Sequence, residues 1–267
     1  MDDRVTENRR RCAVAVLGGP TTVFDIAGRR LVVDPTFDPP GPHGYLTKTA
    51  GPVIQAGDLG AVDVVLVSHD QHPDNLDDAG RALASSVPQV LTNPGAAQRL
   101  GPRAHGLASW ETIDLEGLRV QAVPAVHGPA DGRRDEGGHV NCEVTGFVVS
   151  GRGLPTVYFS GDNASIDVVK AVADAVGTID VAMLFVGAAR VPSKERGRPL
   201  TLTSARAAAA AEVLGAGIVI PAHLDSWAHF SEGIDDVISA FDEAGIARIL
   251  DRTPHGCWIG LEHLLDV

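Results

Sequence analysis

Val62-Asp63-Val64-Val65-Leu66-Val67-Ser68-His69-Asp70-Gln71-His72-Pro73-Asp74-Asn75 joins two stretches of opposite character. The first six residues are apolar except for Asp63 and rich in valine, the composition of a strand buried on both faces for most of its length. The eight that follow, Pro73 apart, carry side chains that donate, accept or ligate. A helix is expected from Asp74 to about Ser86. A buried strand that feeds a helix through such a run builds a polar site at the mouth of a sheet. Taken alone, the run is equally well a polar turn in which Asp74 caps the helix. His72 and Asp74, two positions apart, aim at one ion only where the loop curves around it.

Three further segments share the design. Val123-Pro124-Ala125-Val126-His127-Gly128 ends a strand with a histidine, and Tyr158-Phe159-Ser160-Gly161-Asp162-Asn163 ends one with an aspartate after glycine. Ile218-Val219-Ile220-Pro221-Ala222-His223 ends another with a histidine and continues as Leu224-Asp225-Ser226-Trp227. One histidine after a strand is an ordinary loop residue. Four clusters of histidine and aspartate at the mouths of apolar strands are hard to assign to four separate accidents. Neutral imidazole and carboxylate ligate zinc, manganese and iron, so the clusters together point to a metal site.

The rest of the chain fits a layered α/β sandwich. Cys12–Leu17, Thr21–Ile26 and Arg30–Val33 read as a meander of short strands cut by glycine and proline. Further strands are expected at Val90–Thr92, Leu118–Val123, Val144–Val149 and Thr156–Phe159. The second half alternates helices (Ala164–Ala175, Ser204–Leu214, Glu232–Ala244) with strands (Val181–Val186, Ile218–Ile220), and Thr203 or Ser204 is available as an N-cap. Gly128–Gly138 reads as a mobile surface loop. No Pro/Ser linker separates the halves, so residues 12–267 are expected to form one domain behind an N-terminal tail of residues 1–11.

Composition narrows the function. The 267 residues include 22 basic and 34 acidic side chains, a net charge of −12 that disfavours nucleic acid as a partner. Three cysteines far apart, without CxxC spacing, argue against a disulfide framework and suit a reducing cytoplasm. Arg9–Arg11 before Cys12–Leu17 imitates the start of a signal peptide, but the apolar run is short and reads as a strand. No apolar stretch is long enough to span a membrane. Gly-x-Ser-x-Gly and Walker-type phosphate loops are missing, which disfavours serine-nucleophile and P-loop chemistry.

The order and content of the four clusters resemble the metallo-β-lactamase superfamily, with its His-x-His-x-Asp-His loop, later lone histidine, Gly-Asp and final histidine. The resemblance runs from about residue 12 to about residue 245. It is nearest to the branch of ascorbate-6-phosphate lactonase and phospholipase-D-like members, through Gly18-Gly19-Pro20-Thr21-Thr22-Val23, Leu31-Val32-Val33-Asp34-Pro35 and Pro221-Ala222-His223-Leu224-Asp225-Ser226-Trp227-Ala228-His229-Phe230. It implies an αββα four-layer sandwich with a centre of one or two divalent ions, zinc or manganese, at one edge of the two sheets. His72 and Asp74 match the loop in either register, while His69 and Asp70 compete for its first position. His127, Asp162 and His223 carry over directly. Asn75 stands where the family has the loop's last histidine, which implies a second site that is weak, empty or filled by a harder ion.

The implied function is hydrolysis of a small lactone, ester or phosphodiester by a metal-activated water, with Asp74 and Asp162 as catalytic carboxylates. Asp225, Trp227 and His229 follow the last ligand closely enough to line a substrate pocket. Asp34 either orients a ligand histidine or forms a plain Asp-Pro turn. Arg190 and Lys194 either meet an anionic substrate or lie in a solvated loop. The competing readings are a phospholipase-D-like phosphodiesterase and a non-catalytic binding or regulatory protein with a degenerate site. A homo-oligomer is left open.

Overall fold

Glycine and proline cut the start of the chain into the expected meander. The computed structural model describes residues 4–265. β1 (Cys12–Gly18), β2 (Thr21–Ile26) and β3 (Arg29–Val33) pair antiparallel. A small hairpin follows, β4 (Gly41–His43) with β5 (Leu46–Lys48). β6 (Val64–Leu66), α1 (Asp78–Ser86), β7 (Gln89–Thr92), α2 (Pro94–Leu100) and β8 (Ala104–Gly106) come next, and the three strands extend the sheet in parallel from β3.

The second sheet starts as a meander of β9 (Thr112–Leu115), β10 (Leu118–Pro124), β11 (Thr145–Gly151) and β12 (Leu154–Phe159). Two parallel crossovers follow: α3 (Ile166–Val176) leads to β13 (Val181–Phe185), and α4 (Ser204–Leu214) leads to β14 (Ile218–Ala222). Ser165 and Thr203 accept from Val168 N and Arg206 N as the N-caps of these helices. After α5 (Ile234–Glu243), the chain returns as β15 (Ile259–Gly260) beside β1.

Three apolar layers hold the sandwich together. Phe24, Leu31 and Leu66 of the first sheet meet Phe147, Phe159 and Phe185 of the second between the sheets. Val169, Ala211 and Phe241 cover the outer face of the second sheet, and Leu76, Ala84 and Trp258 pack on the outer face of the first. Alternate residues of β1 therefore serve different layers, Val14 inward and Ala15 outward, the period-two behaviour of a strand. This is the αββα architecture. Among the described residues, no helix is long and apolar enough to cross a membrane.

Several boundaries differ from expectation for local reasons. α1 starts at Asp78, because the Asp77 carboxylate caps it by accepting from Gly80 N at 2.8 Å. Asp74 is thereby left outside the helix and free to face inward. The strand in the valine-rich run is only Val64–Leu66, although Val62 and Val67 remain buried. α2 was not anticipated, although Asn93 followed by Pro94 supplies an N-cap and a first-turn proline. The segment before Cys12 packs against the domain. Arg4 bridges to Cys257, Val5 is buried, and the backbone carbonyls of Thr6 and Asn8 accept from the buried Arg30 guanidinium. Residues 1–3 of the expected tail lie outside the described residues.

Candidate metal centre

The C-terminal ends of β6, β10, β12 and β14 meet at one edge of the sandwich, stitched together by Thr145 N donating to Ser68 O at 3.0 Å. Two groups of side chains converge there. His69, His72, His127 and Asp162 form one group, and Asp74, Asp162 and His223 form the other. Within each group the ligand atoms lie within 4.8 Å of one another, and every residue is buried. Asp162 belongs to both. The β6 loop supplies three residues from the first sheet, and the second sheet supplies the rest.

Backbone conformation aims two of them. Gly161 has φ +55°, and a Cβ there would lie 2.7 Å from Thr145 O, so glycine is what lets the β12 loop turn Asp162 inward. His223 has φ 55° although it is not glycine. That left-handed conformation costs on the order of 1–2 kcal/mol and is held in place by His223 N donating to Gly19 O at 2.8 Å.

Hydrogen bonds to the far side of each imidazole orient the first group. His72 Nε2 donates to Val140 O at 2.7 Å, and His127 Nδ1 to Leu200 O at 2.9 Å. With Asp34 ionised, Ser68 gives its hydroxyl proton to Asp34 Oδ2 at 2.6 Å, and its oxygen accepts from His69 Nδ1 at 2.9 Å. In that state the acceptors leave His69 Nε2 and His72 Nδ1 as bare lone pairs. The two atoms face each other at 2.8 Å. Two lone pairs at that distance repel unless a cation lies between or beside them. Burial, helped by His72 and His127, holds the His69 pKa well below the usual imidazole range. Burial and His127 bring that of His72 down to about 3. Neutral imidazole is the form that ligates a metal.

The second group is carboxylate-rich. His223 Nε2 lies 3.2 Å from Asp74 Oδ2 and 3.6 Å from Asp162 Oδ1. Burial works to lower the His223 pKa, but Asp162 and Asp74 outweigh it and raise the value. Burial likewise works to raise the Asp74 pKa, and His229 and His223 reverse it, holding the carboxyl well below its ordinary range. Asp162 Oδ2 and His223 Nδ1 are buried without a hydrogen-bond partner. Orphaned buried polar atoms are rare in folded proteins. Together with the opposed lone pairs, this donor set fits divalent cations.

The structure brings His69 rather than Asp70 to the cluster. Asp70 instead takes a forked contact from Arg99, Nη2 to Oδ1 at 2.6 Å and Nε to Oδ2 at 2.9 Å, and its carbonyl accepts from Arg81. Asp34 lies behind the site, and burial raises its pKa to about 7 despite donors from Ser68 and Asn75. Of the three pocket candidates, only His229 reaches the centre, with Nε2 3.0 Å from Asp74 Oδ2. Trp227 is buried over Lys48. Asp225 turns away to accept from Gly19 N and to face His255 at 3.4 Å. Lys194 ties its loop to Asn141 at 2.9 Å, and Arg190 donates to Ser231 Oγ and Gly197 O.

Sequence reasoning passed over three neighbours. His139 lies with its ring centroid 4.5 Å from that of His72, Tyr45 packs edge-on to both, and Cys142 Sγ is 3.6 Å from His72 Nε2. His139 follows the glycine-rich segment expected to be a surface loop, yet it is buried and both ring nitrogens are unpartnered. No spacing signal ties these residues to the strand ends.

The chain has clear relatives. Residues 29–224 match the beta-lactamase superfamily domain family. A UPF0173 metal-dependent hydrolase of Methanosphaerula palustris is 33% identical over 192 residues, covering 71% of this chain and 78% of the relative. Its counterpart in Pyrococcus abyssi is 26% identical over 209 residues, covering 76% and 81%. Among solved structures, an isothiocyanate hydrolase from Delia radicum gut bacteria superposes with a TM-score of 0.78 at 19% identity, covering 93% of this chain and 99% of that one.

Proposed function

The chain belongs to the metallo-β-lactamase superfamily and its UPF0173 metal-dependent hydrolases, and we propose that the buried histidine–aspartate cluster holds one or two divalent ions for hydrolysing a small lactone, ester or phosphodiester. The observation that carries the ion-binding part is the 2.8 Å approach of His69 Nε2 to His72 Nδ1, each left as a lone pair by the bond on the far side of its ring. In this reading His69, His72 and His127 hold the first ion. Asp74 and His223 would hold the second, and Asp162 belongs to both donor groups. Zinc suits the imidazole-rich group, and manganese suits the carboxylate-rich one.

Held by these residues, a divalent ion would supply a water acidified from a pKa of about 15.7 toward ~7 and a Lewis acid for the carbonyl or phosphoryl oxygen. The chain's own residues do the rest. Val140 O, Leu200 O and the Asp34–Ser68 pair keep the imidazoles aimed, which preserves their basicity as ligands. Asp74, whose Oδ2 lies 3.2 Å from His223 Nε2 and 3.0 Å from His229 Nε2, is the carboxylate placed to orient the attacking water. His127 lines a cavity of about 740 Å³ that is wide enough for a small-molecule substrate. On that cavity Arg198 pairs with Glu195 and Lys170 with Asp167, while Arg206 donates to Ala164 O and keeps its charge. The resemblance of Gly18–Val23 and Pro221–Phe230 to the lactonase branch makes a lactone the first choice. We place the enzyme in the cytoplasm, which suits its three free cysteines.

Metal analysis of the purified chain, followed by a screen of lactones, carboxylic esters and phosphodiesters with zinc and with manganese, tests the proposal. Stoichiometric metal with turnover of one class supports it. A chain that binds neither ion would leave only the non-catalytic reading.

A further inference from the structure

The second group of donors is short of a histidine. Asn75 stands in the loop position where the resemblance expects one, and its amide is used in another way. Asn75 Nδ2 donates to Asp162 Oδ1 and to Asp34 Oδ2, each at 3.1 Å. The atom facing the carboxylates is therefore a hydrogen-bond donor and not a ligand. Without another contributor, Asp74, Asp162 and His223 would be the whole set.

A second imidazole reaches the same carboxylate from another direction. After His223, the chain turns through Ser226 at φ 70° and pairs back on the small hairpin, with Trp227 bridged to Lys48 and Ala228 N donating to Thr47 O at 3.0 Å. The turn carries His229 over the site. Its carbonyl is fixed by Arg190 N at 3.0 Å, and its ring rests on Phe230 with centroids 4.5 Å apart. His229 Nε2 lies 3.0 Å from Asp74 Oδ2, nearer than His223 Nε2 at 3.2 Å. Donor atoms on a tetrahedral ion with bonds of about 2.0–2.1 Å sit roughly 3.3 Å apart, so each imidazole is spaced to share an ion with Asp74. The compact group within 4.8 Å is Asp74, Asp162 and His223, and His229 would join it through Asp74. His229 Nδ1 is buried without a partner, so no hydrogen bond at that atom dictates which ring nitrogen carries the proton.

We propose that His229 supplies the missing histidine of the second ion site, and that Asn75 is a positioning residue that steadies Asp162. The assignment rests on the metal-hydrolase reading above. It places a ligand on the β14–α5 connection, outside the β6 loop that resembles the family's metal-binding motif.

The test uses the full chain, stripped by a chelator and titrated with Co2+ by absorption and with Zn2+ by calorimetry. Wild type should take two ions per chain. His229→Ala should keep the tight ion and weaken the second by at least about tenfold. His229→Gln, which keeps a polar side chain of similar reach, serves if the alanine variant does not fold. Two ions bound by His229→Ala with unchanged affinities would overturn this assignment while leaving the metal-hydrolase reading intact. So would a wild type that takes one ion only. A wild type that takes no ion would instead remove the reading beneath it.

Discussion

Asp34 grips Ser68 twice: the Ser68 backbone N donates to Oδ1 and the hydroxyl to Oδ2, each at 2.6 Å. The pairing spans the two neighbouring parallel strands, since Asp34 follows β3 and Ser68 follows β6. It also fixes which way the Ser68 proton points, and through it the tautomer of His69. Asp34→Asn keeps the left-handed backbone at φ 41°, which asparagine tolerates, but weakens the grip. Metal affinity should fall by about 10–100-fold, the usual effect of losing an outer partner of a ligand. Competition against a chromophoric chelator measures it. An unchanged affinity would mean that His69 is oriented by packing alone.

His72→Ala and Asp162→Ala should each cost more than that 10–100-fold range, because each removes a proposed ligand and not its support. The two variants should differ in kind. His72 belongs to one donor group and Asp162 to both, so the aspartate variant should release both ions and the histidine variant one. Metal analysis after desalting, with circular dichroism as the control for folding, separates the cases. Full occupancy in both variants would remove the centre.

Buried histidines give the metal-free protein a definite pH dependence. Their lowered values, His69 well below the usual range, His72 about 3 and His139 about 4, mean that the unfolded chain binds protons that the folded chain refuses. Stability is thus full above the ordinary imidazole pKa of about 6.5 and declines as pH falls toward those lowered values, by up to roughly 1.4 kcal/mol per pH unit for each group. His223 shifts the other way, so its contribution is present below about 6.5 and fades as pH rises through its elevated value. Below about 6.5 the opposing group is Asp34, whose pKa burial raises to about 7, so three groups stand against one and urea midpoints of the stripped protein should drop between about pH 6.5 and pH 5. A flat profile would contradict this.

Away from the centre, Asp25 and Arg30 form a fully buried pair, with Nε to Oδ1 at 2.7 Å and Nη2 to Oδ2 at 2.8 Å. The same guanidinium holds the carbonyls of Thr6, Asn8 and Leu59. Asp25→Ala leaves that charge buried without its counter-ion and should destabilise the fold by about 3–5 kcal/mol. Urea unfolding reads the loss. Limited proteolysis should show the segment before Cys12 loosened first.

The fold was legible because its signals are local. Valine-rich runs, glycine and proline punctuation, and an alanine-rich helix capped at Thr203 each report on their own few residues. The strand mouths were legible for the same reason, since an apolar run that stops at a histidine or Gly-Asp is visible without tertiary knowledge. What stayed hidden depends on how distant segments meet. Whether His69 or Asp70 points inward is decided by Arg99, on a helix that the sequence reading passed over. The neighbourhood of His72 is completed by Tyr45 and His139, from a hairpin and a glycine-rich loop far along the chain. The N-terminal segment reads as polar, yet the buried Arg30 gathers it in.

Asp74 comes from the first sheet's side of the sandwich and His223 from the other, as do His72 and His127, so the centre lies across the seam between them. Ions held there act as a rivet. The phenylalanines between the sheets resist separation only in proportion to the area they hide, whereas a coordinated ion must lose ligands before the sheets can part at that edge. The loaded protein should therefore be mechanically and proteolytically far more durable than the stripped one, gaining about 2.7 kcal/mol when free metal stands at a hundred times its Kd. Metal supply would then set not only how fast such a chain works but how long it survives.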